Sequence, residues 1–124
     1  MAEQIVHFIS GHLSLTPEEF ETHYRSTIDR ALANGDAFVV GDARGSDTMA
    51  QVYLSGKTEA VVVYHMFDRP RNNSAGFPTR GGFTSDAERD AQMTRDSERD
   101  IAWVRPGRER SGTQQNLDRR SGEN

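Results

Sequence analysis

A short apolar strand that runs into a glycine turn and then into a helix constrains this chain most. Residues 38–51 read FVVGDARGSDTMAQ, in which Gly41 and Gly45 follow the apolar run. Ser46 or Asp47 can cap the next helix, because their side-chain oxygens accept hydrogen bonds from free backbone N–H groups. Such a turn aims N–H groups and the positive end of a helix at one point. The segment predicts a phosphate or carboxylate site, although a plain strand-to-helix turn also explains it.

The rest of the chain alternates between strand and helix patterns. Apolar runs predict strands at residues 5–9, 37–40, 60–67 and 101–104, and capping residues predict helices that begin near Thr16, Asp47, Ser85 and Ser111. Strands that alternate with helices imply right-handed crossovers and a mostly parallel sheet. We therefore predict an α/β fold with three layers, Rossmann-like, in which helices cover both faces of a mostly parallel sheet of four to five strands.

Three segments carry more detailed predictions. Phe20, Tyr24, Ile28 and Leu32 recur at spacing four, which predicts one helix from the Thr16 capping box to Asn34. Residues 68–84 are rich in proline, glycine and asparagine and are expected to lack regular structure. The helix after Ser85 is expected to end near Ser97, with an inner side formed by Ala87, Ala91 and Met93.

Composition limits the classes of protein to which the chain can belong. With 124 residues the chain is expected to form a single domain over residues 1–120 and a loose tail over residues 121–124. It has no cysteine, which excludes disulfides, thiolate nucleophiles and cysteine zinc sites. Neither a signal-peptide pattern nor an apolar run of about 18 residues is present, so we expect a cytoplasmic protein without a membrane partner.

Charge points to a small anionic ligand. The net charge of −4 disfavours a nucleic acid partner, because affinity for phosphate backbones comes mostly from summed cationic charge. All cationic residues except Lys57 are arginines, which bind phosphate and carboxylate through two parallel hydrogen bonds. Composition bias also explains this ratio. Arginines nevertheless crowd into two loops, at positions 69, 71 and 80 and at positions 105, 108 and 110, and the first loop is the predicted lid.

A second turn near the C-terminus repeats the first design. The strand at 101–104 leads into an arginine-rich loop, and Ser111-Gly112-Thr113 then begins a helix, where a plain N-cap is the alternative to a phosphate site. Ligands bind beyond the carboxyl ends of parallel strands. The predicted ligand-binding residues at that edge are Ser10, Gly11, His12, Gly41, Asp42, Arg44, Gly45, Ser46, Asp47, Arg105, Ser111, Gly112 and Thr113.

Catalytic and metal-binding groups are harder to assign. No two histidines have helical metal spacing, so no metal site is predicted; His7 and His23 are expected to be structural, whereas His12 and His65 lie near strand ends. No serine lies in a G-x-S-x-G elbow. Asp42 and Asp47 are the only carboxylates that the pattern places at the edge, and each can equally serve as a cap. Six further carboxylates are expected to form a solvated helix face, at Asp86, Glu88, Asp90, Asp96, Glu98 and Asp100.

The two turns resemble motifs of one known family. Residues 39–50, VVGDARGSDTMA, resemble the GGARGxDxxA stretch of the SLOG superfamily, which includes DNA-processing protein A and the lysine-decarboxylase-like Lonely Guy enzymes. Residues 106–116 resemble a degenerate form of its PGGxGTxxE loop. The resemblance implies nucleotide-type ligands, contacted by Gly41, Arg44, Gly45, Gly112 and Thr113. Asn116 stands where the hydrolases carry a glutamate, and asparagine cannot act as a general base.

These patterns leave three functions open. The first is binding of a nucleotide or nucleotide-derived phosphorylated metabolite through the two glycine-containing loops. The second is hydrolysis or transfer of an N-glycosidic bond of a nucleoside monophosphate, with Asp42 or Asp47 as the carboxylate. The third is a protein-interaction module without a small ligand. Whether the chain is an enzyme, which cofactor it uses and whether it forms a homo-oligomer are left open.

Overall fold

The computed structural model describes residues 4–122 and contains five strands and five helices in that range. The strands are β1 (Val6–Ile9), β2 (Ala37–Val40), β3 (Val61–Met66), β4 (Thr79–Phe83) and β5 (Arg99–Ile101). The helices are α1 (Pro17–His23), α2 (Arg25–Ala33), α3 (Ser46–Leu54), α4 (Asp86–Arg95) and α5 (Gly112–Arg120). Of the predicted tail, residues 121 and 122 follow α5, and residues 123–124 lie outside the described part. Within residues 4–122 no helix is long and apolar enough to cross a membrane.

All five strands belong to one parallel sheet in the order β4-β3-β2-β1-β5. The register of β1 and β2 runs from Val6 opposite Ala37 to Ile9 opposite Val40. Successive strand residues point to opposite faces of a sheet. Phe38 and Val40 accordingly join the core under α1, α2 and α3, whereas Val39 joins a second core under α4. The predicted three-layer α/β fold is confirmed.

The path of the chain creates a crevice at the carboxyl edge of the sheet. From β1 the chain steps through β2 and β3 to β4, and it then crosses back through α4 to place β5 on the other side of β1. The loop after β1 leads to α1 on one face, and the loop after β5 leads to α5 on the other face. Neighbouring loops that diverge in this way leave an open cleft between them, where ligands of parallel sheets bind.

The predicted helix from Thr16 to Asn34 is present but divided. The Thr16 capping box has both hydrogen bonds, and α1 ends at Tyr24, whose φ of −119° departs from helical geometry before α2 begins. Phe20, Tyr24 and Ile28 are buried as their spacing predicts. The Tyr24 hydroxyl explains the irregular position, because it donates to the carbonyl of Ser10 (2.8 Å) and accepts from the N–H of Trp103 (3.1 Å).

Two predictions at the edges of the sheet are wrong. Residues 68–84 include β4, which pairs with β3 although its sequence, TRGGF, has no strand-like apolar pattern and its residues are largely exposed. The predicted strand at 101–104 is instead β5 at 99–101. Its backbone leaves the sheet after Ile101, because the N–H of Trp103 bonds to the Tyr24 hydroxyl instead of to a neighbouring strand. Trp103 is half-buried and stacks on His23 with ring centroids 4.0 Å apart.

The inner side of α4 also differs from its prediction. Ala87 is exposed and Ala91 half-buried, whereas Arg89 and Met93 are the buried residues of the helix. They lie four residues apart and therefore share one face of the helix. A buried arginine on that face brings a charge to the sheet, where the sequence pattern placed only alanine and methionine.

We expect Gly45→Ala to destabilise the protein much more than Gly35→Ala. Both glycines have φ near +75°, and an alanine at such a φ costs about 1–2 kcal/mol. At Gly35 an added Cβ has no atom within 4 Å, whereas at Gly45 it overlaps the carbonyl oxygen of Leu13. The free energy of unfolding in urea, measured for both variants, should show an excess loss for Gly45→Ala; equal losses would contradict the close approach of the two loops.

Candidate functional site

A cleft of about 270 Å³ lies at the carboxyl edge of the sheet, between the loops that follow β1 and β5. Several segments of the chain meet there: the loops after β1, β2, β3 and β5, the first turns of α4 and the start of α5. The residues that line the cleft are Phe8, Ser10, Gly11, His12, Leu13, Ala43, Asp47, Arg71, Asp86, Arg89, Asp90, Met93, Arg108, Ser111, Gly112, Thr113 and Asn116. Both predicted glycine-containing turns therefore contribute to one cavity.

The structure brings together part of the predicted ligand-binding set. The predicted residues that line the cleft are Ser10, Gly11, His12, Asp47, Ser111, Gly112 and Thr113. The predicted residues that do not line it are Gly41, Asp42, Arg44, Gly45, Ser46 and Arg105. A binding role stays a prediction for both groups. Only the residues that line the cleft can touch a ligand bound in it.

The glycines of the first turn hold the loops together. A Cβ at Gly41 would lie 2.6 Å from Oδ2 of Asp47 and 2.9 Å from the guanidinium carbon of Arg89. A Cβ at Gly45 would overlap the backbone of the loop after β1, whose His12 carbonyl accepts from the N–H of Ser46 at 3.2 Å. These glycines permit the close packing that positions Asp47 and His12.

Asp42 is committed to an ion-pair network and does not face the cleft. Its carboxylate accepts from the guanidinium of Arg71 (2.9 Å) and from that of Arg89 (2.7 Å), and it is almost fully buried. Burial by itself raises the pKa of Asp42, but the hydrogen bonds from Arg71 and the charges of both arginines outweigh it, so the pKa lies below its ordinary value. Of the two predicted catalytic carboxylates, only Asp47 reaches the cleft.

Three of the six arginines in the two loops are paired with carboxylates within the protein. The guanidinium of Arg71 bridges the carboxylates of Asp42 and Asp86. A guanidinium nitrogen of Arg80 lies 2.5 Å from a carboxylate oxygen of Asp96. Because both arginines are bound to carboxylates, they do not form the predicted lid. Arg105 holds Glu19 through two hydrogen bonds of 2.6 and 2.9 Å, and these lower the pKa of Glu19 to about 2. Arg44 is exposed and outside the cleft.

Arg108 of the second loop differs from Arg71 and Arg89 in its surroundings. Arg108 lines the cleft, and no salt bridge within residues 4–122 uses its side chain. Its positive charge therefore faces a cleft whose other arginines, Arg71 and Arg89, are already held by carboxylates.

The start of α5 presents hydrogen-bond donors to the cleft. Ser111 caps the helix by accepting from the N–H of Gln114 at 3.2 Å. The N–H groups of Gly112 and Thr113 belong to the first turn and have no acceptor among the described residues. Ser10 faces the same cleft, and its buried hydroxyl has no partner within residues 4–122. Unsatisfied N–H groups at a helix start are a ready site for an anion.

His12 adds a neutral donor to this wall. Its Nε2 accepts from the N–H of Arg105 at 2.9 Å, so the ring proton of the neutral form lies on Nδ1. Burial, together with the charges of Arg105 and Arg108, lowers the pKa of His12 below its ordinary value. The imidazole is therefore neutral at pH 7, and its Nδ1–H is used by no acceptor among the described residues.

Asp47 and Asp90 form a pair of carboxylates in different environments. Burial raises the pKa of Asp47 to about 7, an effect that the charge of Arg89 opposes and the charge of Asp90 reinforces. Asp90 accepts from Arg89 at 2.8 and 3.0 Å and from the amide of Asn116 at 3.2 Å. Asp47 can therefore hold a proton near neutral pH beside a second carboxyl that is bound by a guanidinium, an arrangement that favours acid–base chemistry.

Sequence reasoning missed the contribution of α4. Arg89 was assigned no role, and Asp90 was expected on a solvated face together with Asp96 and Asp100. Asp96 instead accepts from the Tyr64 hydroxyl at 2.6 Å, and Asp100 is bound by Arg120 at 3.1 Å. The spacing of Arg89 and Met93 on one helical face is the signal that could have identified the buried side.

The other histidines lie away from the cleft. His7 bonds to Asp36 at 2.9 Å near the opposite edge of the sheet, and His23 stacks on Trp103, in accord with structural roles. His65 is buried against Gly81 and bonds to the carbonyl of Met66, so it does not reach the predicted ligand. Within the described residues no group of three or more His, Asp or Glu side chains is arranged to hold a metal ion.

Comparisons with known proteins do not assign this chain to a family. No protein-family model, no curated protein and no solved structure matches it. The resemblance to the SLOG superfamily therefore stays a prediction.

We expect Asp47 to make the folded protein less stable as the pH rises. Its pKa is about 7 in the folded chain and about 3.9 in an unfolded one, so the folded state holds the proton more tightly. The stabilisation is complete below pH ~4 and is lost as the pH rises through about 7. Asp47→Asn stays neutral and keeps an oxygen that can accept from the N–H of Ala43.

The measurement is urea unfolding of both proteins over this pH range. The free energy of unfolding of the wild type, relative to Asp47→Asn, should fall by up to about 1.4 kcal/mol per pH unit. Parallel pH profiles would show that Asp47 does not titrate in this window.

Proposed function

We propose that this chain binds a nucleotide or a nucleotide-derived phosphorylated metabolite in the cleft between the loops after β1 and β5. The single observation that carries the proposal is the pair of N–H groups of Gly112 and Thr113, which have no acceptor among the described residues and belong to residues that line that cleft. A phosphate satisfies such groups and interacts favourably with the positive end of the helix. The Ser10 hydroxyl and the Nδ1–H of His12 add neutral donors nearby.

The charges of the cleft favour a ligand with one anionic end. Arg108 offers a cation at the mouth, whereas Asp47, Asp86 and Asp90 bring carboxylates to the α4 side. A carboxylate accepts hydrogen bonds from sugar hydroxyls but repels a second phosphate. The arrangement therefore suits a molecule with phosphate at α5 and hydroxyl groups towards α4, as in a sugar phosphate.

The size of the cleft supports a compact ligand. Its volume of about 270 Å³ is near the lower end of the range for small-molecule sites, which is about 300–1,000 Å³. The SLOG-like motifs at residues 39–50 and 106–116 support the same class of ligand, since the family binds nucleotide-derived molecules. The net charge of −4 speaks against a nucleic acid.

We expect Gly112→Pro to weaken binding of inorganic phosphate and of 5′-AMP by about tenfold or more, since a charge-assisted hydrogen bond contributes about 1.5–3 kcal/mol. Proline removes the N–H but suits the first position of a helix. The extended backbone of Ser111 (φ −72°, ψ 166°) also accommodates a following proline. The affinity is measured by isothermal titration calorimetry.

Gly112→Ala is the matched control. It retains the N–H, and a Cβ at this position meets no atom within 4 Å, so its affinity should equal that of the wild type. A thermal-shift panel of phosphate, mononucleotides and dinucleotides comes first, because a ligand at 100 times its dissociation constant adds about 2.7 kcal/mol of stability. Equal binding by the proline and alanine variants, or no stabilisation by any compound, contradicts the proposal; the latter result favours a protein-interaction module.

A second function, cleavage of the N-glycosidic bond of a nucleoside monophosphate, is favoured by the Asp47–Asp90 pair. Protonated Asp47 would give its proton to the departing base while anionic Asp90 stabilises the positive charge on the sugar or directs water to it. Water supplies the hydroxyl that replaces the base. Position 116, where the hydrolases carry a glutamate, is asparagine in this chain. Asp90, which accepts from the amide of Asn116, offers a carboxylate in its place.

We expect release of free base from nucleoside monophosphates to slow as the pH rises through about 7, because Asp47 then loses its proton. Asp47→Asn should reduce the rate by about 100-fold or more, whereas Glu59→Gln, which changes an exposed carboxyl before β3, should not. Chromatography of the products measures the base. Absence of base release, or an unaffected Asp47→Asn variant, leaves binding alone as the function.

A further inference from the structure

Asp90 of α4 belongs to neither glycine-containing turn, yet it lines the cleft. Most of its side chain is covered, and 16% of it is exposed. Two nitrogens of the Arg89 guanidinium donate to its Oδ1, at 2.8 and 3.0 Å. Within residues 4–122 its Oδ2 accepts one hydrogen bond, from the side-chain amide of Asn116 at 3.2 Å. Each carboxylate oxygen has two lone pairs, so Oδ1 is filled and Oδ2 can accept once more.

The surroundings of Oδ2 determine which donor suits it. The oxygen belongs to a residue of the cleft wall, so a further donor has to come from a molecule in the cleft. A hydroxyl group is small, carries no charge and forms a strong, charge-assisted hydrogen bond with a carboxylate. Oδ2 of Asp90 is therefore a place for a hydroxyl of a bound ligand.

One side of α5 connects this oxygen to the phosphate end of the cleft. Gly112 and Asn116 lie four residues apart, so they share one side of the helix, and both line the cleft. At about 1.5 Å per residue, they are about 6 Å apart along the helix axis. The N–H of Gly112 and the amide that holds Oδ2 of Asp90 therefore belong to one wall of one cavity.

The phosphate end has a second feature besides the start of the helix. Ser10 is only 6% exposed and lines the same cleft, and its hydroxyl has no hydrogen-bond partner among the described residues. A buried hydroxyl without a partner is costly, and a phosphate oxygen in the cleft satisfies it.

Ribose 5-phosphate, free or as part of a nucleotide, carries hydroxyl groups at the matching distance. Five bonds join its phosphorus to the 3′-oxygen, and six join it to the 2′-oxygen. With bonds of about 1.5 Å, these paths span about 6–7 Å. A phosphate on the N–H of Gly112 therefore brings the ribose hydroxyls to the level of Asn116, beside Asp90.

We propose that the cleft recognises the ribose 5-phosphate unit of a nucleotide, with the phosphate at the start of α5 and a ribose hydroxyl that donates to Oδ2 of Asp90. This inference rests on the proposed function and names the sugar that the α4 side binds. Asp90 is then a specificity-determining residue, because a sugar without these hydroxyls leaves Oδ2 without a new donor.

The test compares a ligand that has the two hydroxyls with one that lacks them. 5′-AMP carries both, 2′,3′-dideoxyadenosine 5′-monophosphate carries neither, and inorganic phosphate probes the α5 end alone. Isothermal titration calorimetry of the wild type should show at least about tenfold tighter binding of AMP than of the dideoxy analogue, since a hydrogen bond to a charged group contributes at this level. Equal affinities overturn the ribose contact without recourse to any variant.

Asp90→Asn tests the oxygen itself. Because Arg89 donates twice at the Oδ1 position, the oxygen of the new amide stays there and its NH2 group replaces Oδ2. The preference for AMP over the dideoxy analogue should disappear, whereas inorganic phosphate should bind at least as tightly as in the wild type, since a negative charge is removed. Arg89 keeps its ion pair with Asp42, so the variant should stay folded.

Glu88→Gln is the matched control. It removes one negative charge from the same helix, at an exposed residue that does not line the cleft, and it keeps an oxygen for the N–H of Thr84. It should retain the preference for AMP. A preference that survives Asp90→Asn, or that Glu88→Gln abolishes equally, overturns the role of Asp90. Failure of AMP, the analogue and phosphate all to bind the wild type overturns the proposed function as well.

Discussion

The buried hydroxyl of Tyr24 joins the two loops on which the rest of the site depends. It donates to the carbonyl of Ser10 after β1 and accepts from the N–H of Trp103 after β5. Burial raises the pKa of Tyr24 to about 12, so the hydroxyl keeps its proton and can serve both partners. A second tie lies further along the same loops, where the N–H of Arg105 donates to Nε2 of His12 at 2.9 Å. The position of the cleft follows from these contacts and from the strand order.

The carboxyl edge of the sheet carries many arginines, but carboxylates neutralise the charge of several of them. Arg71, Arg89 and Arg105 are each held by carboxylates, so their charges stabilise the loops and are not free to attract a ligand. The proposed attraction for an anion comes instead from backbone N–H groups at α5, from Arg108 and from neutral donors. We propose that such a site is selective, because the carboxylates of α4 would accept hydroxyl groups and reject a second anion.

The sequence predicts the layers and the edge of the sheet because these depend on local patterns. Apolar runs define β1 to β3, and the caps at Thr16, Ser85 and Ser111 define three helix starts. It does not predict β4, a polar and glycine-rich strand that pairs with β3. The spacing of Arg89 and Met93 marks the buried face of α4, but the ion pair of Arg89 with Asp42 and the place of Asp90 in the cleft depend on tertiary contacts that no local pattern shows.

The most direct measurement of the central claim is a titration of the ¹⁵N-labelled protein with inorganic phosphate and with AMP, followed by the backbone amide resonances. The account predicts that the amide signals of Gly112 and Thr113 move first and furthest in the downfield direction expected for new hydrogen bonds, with smaller changes at Ser10 and His12. Unmoved Gly112 and Thr113 signals at saturating ligand, or shifts confined to the opposite edge of the sheet, would contradict it.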